Sequence, residues 1–161
     1  MRFEQVIGHR DLGAKLRAGA QSGRVAHAQL FNGPEGSGAL ALALAYARYL
    51  HCSAPTDADA CGKCSSCVQY DTLQHPDLHW SFPFFRKDGS DHALSQPFQA
   101  AWRERVLQGP YFGQEEWLAA IGADRKQLFI SVQEAMELNR KLGLKAFAGG
   151  WKVLILSLIH I

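Results

Sequence analysis

Four cysteines lie close together in one short stretch of the chain, and they constrain its local fold more than any other feature of the sequence. Their spacing is Cys52-x8-Cys61-x2-Cys64-x2-Cys67. Cysteines three residues apart can direct two sulfurs at one ion about 2.3 Å away, and the loop after Cys52 can bring the remaining sulfur round to close a tetrahedron. Because the thiols are clustered, they do not form a disulfide framework that staples distant parts of a secreted fold. The pattern predicts a structural zinc site.

Two alternatives to zinc remain open: a Cys-x-x-Cys redox pair, and unligated buried thiols in a reducing compartment. A redox pair needs two thiols and leaves the other two unexplained. A catalytic zinc would keep an open position for water, whereas four cysteines fill the coordination sphere. His51 is next to Cys52, and adjacent residues rarely share an ion, so we expect it to be a bystander. His75 and His79 stand at no recognisable spacing from a nucleophile, and no general acid or base is assigned.

A glycine-rich loop precedes the cysteines, with the sequence Gly33-Pro34-Glu35-Gly36-Ser37-Gly38-Ala39-Leu40. Gly33 and Gly38 match the frame Gly-x-x-x-x-Gly-Lys-Ser/Thr, which binds nucleotide phosphates between a strand and a helix. Ala39 replaces the lysine that neutralises the phosphates, and Leu40 replaces the hydroxyl that binds Mg²⁺. We therefore expect a degenerate phosphate loop that does not bind ATP. A glycine turn that never held a ligand is the simpler alternative.

Local patterns along the chain predict an α/β fold. Helices are expected where apolar residues recur at helical spacing, and strands where short apolar runs end in turn residues. The predicted helices span 9–21, 39–50, 96–108 and 131–143, and the predicted strands span 28–31, 77–82 and 151–156. Ser131 and Glu134 are spaced as a capping box at the start of the last helix. The alternation predicts a parallel sheet flanked by helices, with 151–156 as a central strand covered on both faces.

The composition is that of an ordinary globular chain. Of its 161 residues, 47% are hydrophobic and 20% are charged, which is typical of one domain over residues 1–161. The net charge of +2 is too small for a broad nucleic-acid surface, so any DNA contact must be local or shared with partners. The sequence has no apolar run of membrane-spanning length and no secretory signal pattern, so we expect a cytoplasmic protein.

Two further segments stand out. Nine of the seventeen aromatic residues lie in an aromatic-rich insertion over about 80–117, which we expect to be packed. The chain then ends inside an apolar run, Ser157-Leu158-Ile159-His160-Ile161. Because a soluble domain seldom ends on an exposed hydrophobic strand, we expect a truncated chain or a non-native tail.

Several segments taken together resemble the delta-prime subunits of bacterial DNA polymerase III clamp loaders, which belong to the AAA+ proteins. They are Phe3-Glu4-Gln5-Val6-Ile7-Gly8-His9, the run from Arg24 to Pro34, the four cysteines, His75-Pro76-Asp77-Leu78 and Gly149-Gly150-Trp151-Lys152-Val153. The motor subunits gamma and tau are similar in the zinc segment but keep the lysine and the hydroxyl that Ala39 and Leu40 replace. The resemblance implies a P-loop AAA+ sheet with a small zinc-binding helical insertion over 52–67.

The resemblance also implies a function. It implies a non-catalytic stator in a hetero-pentamer with gamma/tau and delta subunits, which loads the sliding clamp onto primed DNA. The family's arginine finger, lid domain and helical collar are expected beyond the last residue, and no acidic pair follows the run 153–156. Two other hypotheses remain: a weakly active ATP-binding motor subunit of gamma/tau type, with Lys15 or Lys63 as substitute lysines, and a free-standing zinc-stabilised interaction module.

Overall fold

The secondary structure is mainly helical in the computed structural model, which describes residues 1–86, 93–123, 126–148 and 150–158. The helices are α1 (Arg10–Gln21), α2 (Ala39–His51), α3 (Ser65–Asp71), α4 (Gln99–Gln108), α5 (Gln114–Ile121) and α6 (Val132–Gly143), and the strands are β1 (Leu78–Ser81) and β2 (Val153–Leu156). Short 3-10 turns occur at Phe3–Gln5 and Gln96–Phe98. The chain divides into two compact units, Met1–His75 and Pro76–Ile161.

In the first unit, α2 is the central helix. Its run of alternating alanine and leucine is buried over most of its length, because small and large apolar side chains fill the space against α1 and α3. The helix begins after Gly38, which has a φ of 88° and serves as its N-cap. Helix α1 follows His9 and ends at Gln21. The predictions of helices over 9–21 and 39–50 are therefore confirmed.

The predicted strand over 28–31 is wrong. These residues form no strand, and Leu30 keeps 85% of its surface exposed. A strand needs a neighbour that supplies backbone hydrogen bonds. Among the described residues the sheet contains β1 and β2 alone, so the run 28–31 has no strand to pair with.

In the second unit, β1 and β2 form a two-stranded parallel sheet whose register pairs Leu78 with Val153 and Ser81 with Leu156. The predicted strands 77–82 and 151–156 are confirmed, and so is their parallel direction. The expectation that the last strand is covered on both faces is wrong, because Leu156 is 52% exposed. The buried Asp77 carboxylate accepts the amides of Phe147 and Ala148, at 2.8 Å each, and so fixes the segment that leads into β2.

Aromatic side chains form the core of the second unit. Trp102 and Trp117 are fully buried, with ring centroids 4.9 Å apart in an edge-to-face arrangement. Phe82 stacks on Trp102 at 4.5 Å, and the Trp117 indole Nε1 donates to the Pro83 carbonyl at 2.7 Å. The expectation that the aromatic-rich insertion is packed is confirmed for its described residues, and residues 87–92 lie outside them.

The helices of the second unit follow the local signals in part. The predicted helix 96–108 begins as a 3-10 turn and continues as α4, and α6 begins after Ser131 as expected. Ser131 Oγ accepts the Glu134 amide at 2.9 Å, but the Glu134 carboxylate binds Ser95 instead of completing the capping box. Helix α5 lies where no helix was predicted. None of the helices described is long and apolar enough to cross a membrane.

Candidate functional site

The first unit brings all four cysteine thiols into one cluster. Their Sγ atoms lie within 4.8 Å of one another, and the Cys52 and Cys64 sulfurs are 4.0 Å apart. In a tetrahedron with metal–sulfur distances of about 2.3 Å, neighbouring sulfurs are separated by about 3.8 Å. None of the cysteines forms a disulfide. The four side chains could therefore hold one tetrahedral metal ion after small side-chain adjustments.

The backbone around the cysteines favours the thiolate form that a metal requires. The amide of Cys61 donates to the Cys52 sulfur at 3.2 Å, and the amide of Cys64 donates to the Cys61 sulfur at 3.3 Å. Cys64 is the N-cap of α3, and its sulfur accepts the Cys67 amide at 3.5 Å. Hydrogen bonds to a sulfur stabilise its negative charge. The short loops and the start of α3 thus aim N–H groups at three of the four sulfurs.

Burial and hydrogen bonding move the thiol pKa values in opposite directions. Burial raises the pKa of Cys52 to about 12, and burial also raises the pKa of Cys67. Burial opposes ionisation of Cys64 too, but hydrogen bonds from Cys67 and Ser53 lower its pKa to about 6. Backbone hydrogen bonds from Lys63 and Cys64 lower the pKa of Cys61. The cluster therefore combines two outer thiols that ionise readily with two buried thiols that resist charge without a cation.

The segment between Cys52 and Cys61 is anchored to the helices around it. The Tyr49 hydroxyl donates to the Thr56 carbonyl at 2.8 Å, and Arg17 Nε donates to the Asp57 carbonyl at 3.0 Å. The buried Asp59 carboxylate accepts the amides of Phe3 at 3.1 Å and Glu4 at 2.9 Å. The loop is thereby joined to α1, to α2 and to the N-terminal turn.

His51 contacts Tyr70 and His75 and is not part of the group of four thiols. Its Nδ1 lies 2.6 Å from the Tyr70 hydroxyl, and its ring lies 4.2 Å from that of the buried His75. Within the described ranges, the group of side chains close enough to share an ion consists of the four cysteines. Four thiols leave no open position for a water ligand, so the chemistry of this donor set is that of a structural site and not of a catalytic one.

Arg48 and Asp71 border the cysteine cluster, and the sequence interpretation missed both. Arg48 Nη1 donates to Asp71 Oδ1 at 2.7 Å, and Cys67 lies one helical turn before Asp71 on α3. Arg48 is only 3% exposed. The one available signal was a lone cation inside an otherwise apolar helix. A charged side chain at such a position is rarely buried without a partner.

The glycine loop has the backbone of a tight turn but lacks the polar side chains of a phosphate site. Gly36 and Gly38 have φ values of 73° and 88°, a region that L side chains rarely adopt. A Cβ on Gly33 would lie 2.5 Å from Ser37 Oγ, so the serine side chain closes over that glycine. Ala39 and Leu40 form the first turn of α2. The turn therefore presents two aliphatic side chains where nucleotide-binding loops present an ammonium and a hydroxyl.

A cavity of about 220 Å³ lies beside this loop. Leu12 and Leu16 of α1 line it together with Leu30, Phe31 and the start of α2, so its wall is mainly apolar. At its edge, His9 Nε2 lies 2.6 Å from the Ser37 carbonyl oxygen and links the start of α1 to the loop. The cavity adds apolar surface next to the turn, and no lysine or arginine is among the described residues that line it.

Comparison with known proteins identifies similar sequences. A family model described as DNA polymerase III, delta subunit, matches residues 8–160. The DNA polymerase III subunit gamma/tau of Mycobacterium tuberculosis (strain ATCC 25618 / H37Rv) is 41% identical over 66 residues, which cover 41% of this chain and 11% of that protein. The DNA polymerase III subunit tau of Escherichia coli (strain K12) is 33% identical over 76 residues, which cover 47% of this chain and 12% of that protein.

A plant protein is also similar. Protein STICHEL of Arabidopsis thaliana is 30% identical over 91 residues, which cover 56% of this chain and 7% of that protein. The matches therefore span about a tenth of the length of the curated relatives. No solved structure matches the chain.

Proposed function

The chain belongs to the family described as DNA polymerase III, delta subunit, and we propose that it is a delta-prime-type stator subunit of a clamp loader. In this role the protein assembles with gamma/tau and delta subunits and helps to load the sliding clamp onto primed DNA during replication. It contributes an AAA+-type surface to the complex and does not turn over ATP itself.

The identity of the first two residues of α2 carries the proposal. Ala39 and Leu40 occupy the Lys-Ser/Thr positions of the loop frame. A methyl group cannot neutralise the phosphates that a lysine binds, and an aliphatic side chain cannot ligate Mg²⁺. Glu35, exposed within the same loop, adds a negative charge where phosphates would approach. These features support a subunit whose loop keeps the tight turn but lacks the side chains that bind nucleotide phosphates and Mg²⁺.

The second part of the proposal is a structural zinc ion at the four cysteines. Cys52, Cys61, Cys64 and Cys67 would hold it, and when bound the ion would supply a cross-link between the end of α2, the following loop and α3. The converging sulfurs and the amides aimed at them support this assignment. A clamped insertion of this kind gives a subunit a rigid surface without requiring a large core.

The alternative is a motor subunit of gamma/tau type. It is favoured by the names of the relatives, since the 41% identical segment comes from a protein named DNA polymerase III subunit gamma/tau. The two hypotheses differ in one property: a motor binds and hydrolyses ATP through residues 33–40, whereas a stator does neither.

Reconstitution with partner subunits tests the proposal. Clamp loading onto primed DNA is measured for gamma/tau and delta subunits with and without this protein, while ATP turnover is followed in the same samples. We expect loading to depend on the protein, and turnover to vanish when the phosphate-loop lysines of the gamma/tau subunits are mutated. If turnover persists in that complex and disappears after Gly38→Ala in this chain, the motor hypothesis is correct. If the protein does not join the complex, the assignment to clamp loading fails.

A further inference from the structure

One buried cation in the first unit needs an explanation. Arg48 lies in the last turns of α2, between Ala47 and Tyr49, which are both buried. Its own side chain is 3% exposed. An arginine is almost never this deeply buried unless charged or polar groups satisfy it, because desolvation of the guanidinium is costly.

The guanidinium of Arg48 reaches α3 on the face that carries Cys67. Its Nη1 donates to Asp71 Oδ1 at 2.7 Å, and Cys67 lies four residues before Asp71, one turn away on the same face of α3. Burial raises the pKa of the Cys67 thiol, and the Arg48 side chain opposes that rise. Cys67 is fully buried, whereas the Asp71 side chain is 55% exposed. Water therefore screens the carboxylate more than it screens the sulfur, and the field of the cation acts most strongly on the buried thiolate.

A cation of this kind would stabilise a partly buried four-thiolate metal site. A divalent ion with four thiolates carries a net charge of −2, and this charge would lie partly in the protein interior because Cys52 is also buried. Groups that hydrogen bond a metal-ligating side chain on the side away from the ion fix the orientation of that side chain. They also tune its affinity for the ion, as carboxylates do for zinc-binding histidines. Here the order would be Asp71, Arg48, Cys67 and then the ion. The carboxylate orients the guanidinium, and the guanidinium orients the sulfur.

We propose that Arg48 is a positioning residue of the metal centre, in which it is held by Asp71, donates to the Cys67 sulfur and offsets the negative charge of the four thiolates. This role rests on the metal centre proposed above. It differs from the simpler explanation that the Arg48–Asp71 ion pair only ties α2 to α3, because that explanation predicts a change in folding stability without a change in metal affinity.

Metal affinity separates the two explanations. Zinc is titrated into the reduced protein in competition with a chromophoric chelator, and Co²⁺ is used as a spectroscopic substitute whose sulfur-to-metal charge-transfer band reports the thiolate ligands. We expect Arg48→Met to weaken zinc binding by about 10–100-fold, the range typical of residues that support metal ligands. Arg48→Lys keeps the charge but cannot present two donors in a planar fork, so we expect an intermediate loss.

Two further variants complete the design. Asp71→Asn leaves Arg48 in place but weakens its orientation, so we expect a smaller loss than in Arg48→Met. Arg140→Met removes an exposed arginine of α6 that pairs with Glu137, and it changes the net charge by the same amount. We expect this matched control to bind zinc as the wild type does. The thermal stability of each metal-free variant is measured alongside.

The outcomes are distinct. Unchanged zinc affinity and an unchanged Co²⁺ band in Arg48→Met would overturn the role of Arg48 while leaving the metal centre intact. A wild-type protein that takes up no metal would overturn the metal centre and this role together. If Arg48→Met does not fold, the decision passes to Arg48→Lys and Asp71→Asn. Wild-type affinity in both of these would refute the proposal.

Discussion

Replacement of Cys64 by alanine perturbs the cysteine cluster at a residue that belongs to the proposed metal centre and also caps helix α3. Its sulfur accepts the Cys67 amide at 3.5 Å and lies 4.0 Å from the Cys52 sulfur. Cys64→Ala therefore removes one of the four proposed ligands together with the N-cap of a seven-residue helix. We expect the variant to lose both the metal and the stabilisation that the metal supplies.

The size of this effect follows from linkage between metal binding and folding. If the free zinc concentration is 100 times Kd, binding to the folded state alone stabilises it by about 2.7 kcal/mol. The affected unit is Met1–His75. In a domain of that size each kcal/mol changes the melting temperature by about 4–8 °C, so zinc should raise it by roughly 11–22 °C. Loss of the N-cap lowers the free energy of unfolding by about 0.5–2 kcal/mol more. Because this cost is the same with and without metal, it cancels in the difference between the melting temperatures measured with zinc and with chelator.

The assay compares thermal unfolding with zinc and with a chelator for both proteins, with metal content measured on the same samples. All four tryptophans lie after His75, so unfolding of the first unit is followed by far-ultraviolet circular dichroism and not by tryptophan fluorescence. Ser65→Ala, an exposed position one residue along the chain, is the matched control and should keep the wild-type response.

Two results would refute this reasoning. One is a wild-type melting temperature that zinc and chelator leave unchanged, since linkage requires a shift when metal binds the folded state. The other is an equal zinc stoichiometry in Cys64→Ala and the wild type, which would remove Cys64 from the ligand set.

Three other substitutions test the fold and its electrostatics. Asp59→Ala should destabilise the protein by about 1.5–3 kcal/mol in chemical denaturation and expose the amides of Phe3 and Glu4 to hydrogen exchange, because a buried carboxylate no longer accepts them. Glu134→Ala should cost about 1–3 kcal/mol by the same method, since Ser95 then loses the acceptor of its amide and hydroxyl. The hydrogen bond from Arg140 lowers the pKa of Glu137 to about 2 from an ordinary 4.5. The stability that this pair contributes is therefore complete above pH 4.5 and lost as the pH falls through about 2. Carboxyl NMR should show the titration midpoint of Glu137 returning toward 4.5 in Arg140→Met, and an unchanged midpoint would contradict this cause.

The helices were predictable where their signals are local. Apolar spacing and alanine content identify α1 and α2, and a serine N-cap identifies α6. Helix α5 was missed because its eight residues offer little periodicity. Its start is fixed by a hydrogen bond from the Gly113 amide to Glu116 Oε2 at 3.0 Å, and its burial depends on contacts of Trp117 with distant aromatic rings.

Strands depend on partners that the local sequence does not contain. The run 28–31 has the composition of a buried strand, yet it is not part of the described sheet, and Leu30 is 85% exposed. The run 153–156 has a similar composition and does form a strand, because β1 supplies its hydrogen bonds. The same pattern thus had two outcomes, and tertiary pairing decided between them.

The candidate site also combines residues that are recognisable from local spacing with residues that only the fold brings together. The spacing of the cysteines is a local property, and the structure brings all four sulfurs together. The bordering residues are not local, since Arg48 and Asp71 are 23 positions apart and meet only because α2 packs against α3. The sequence could therefore indicate the four thiols, whereas the position of the Arg48 charge beside them could be recognised only from the fold.

Isothermal titration of Mg-ATP into the purified protein, with hydrolysis followed on the same sample, measures directly whether the loop over 33–40 binds nucleotide. We expect no binding heat and no turnover for the wild type. The double variant Ala39→Lys, Leu40→Thr restores the lysine and hydroxyl of the loop frame and shows what those two positions contribute. Saturable binding of Mg-ATP by the wild type, with turnover that Gly38→Ala abolishes, would contradict the stator role. It would identify the protein as an active motor subunit despite Ala39 and Leu40.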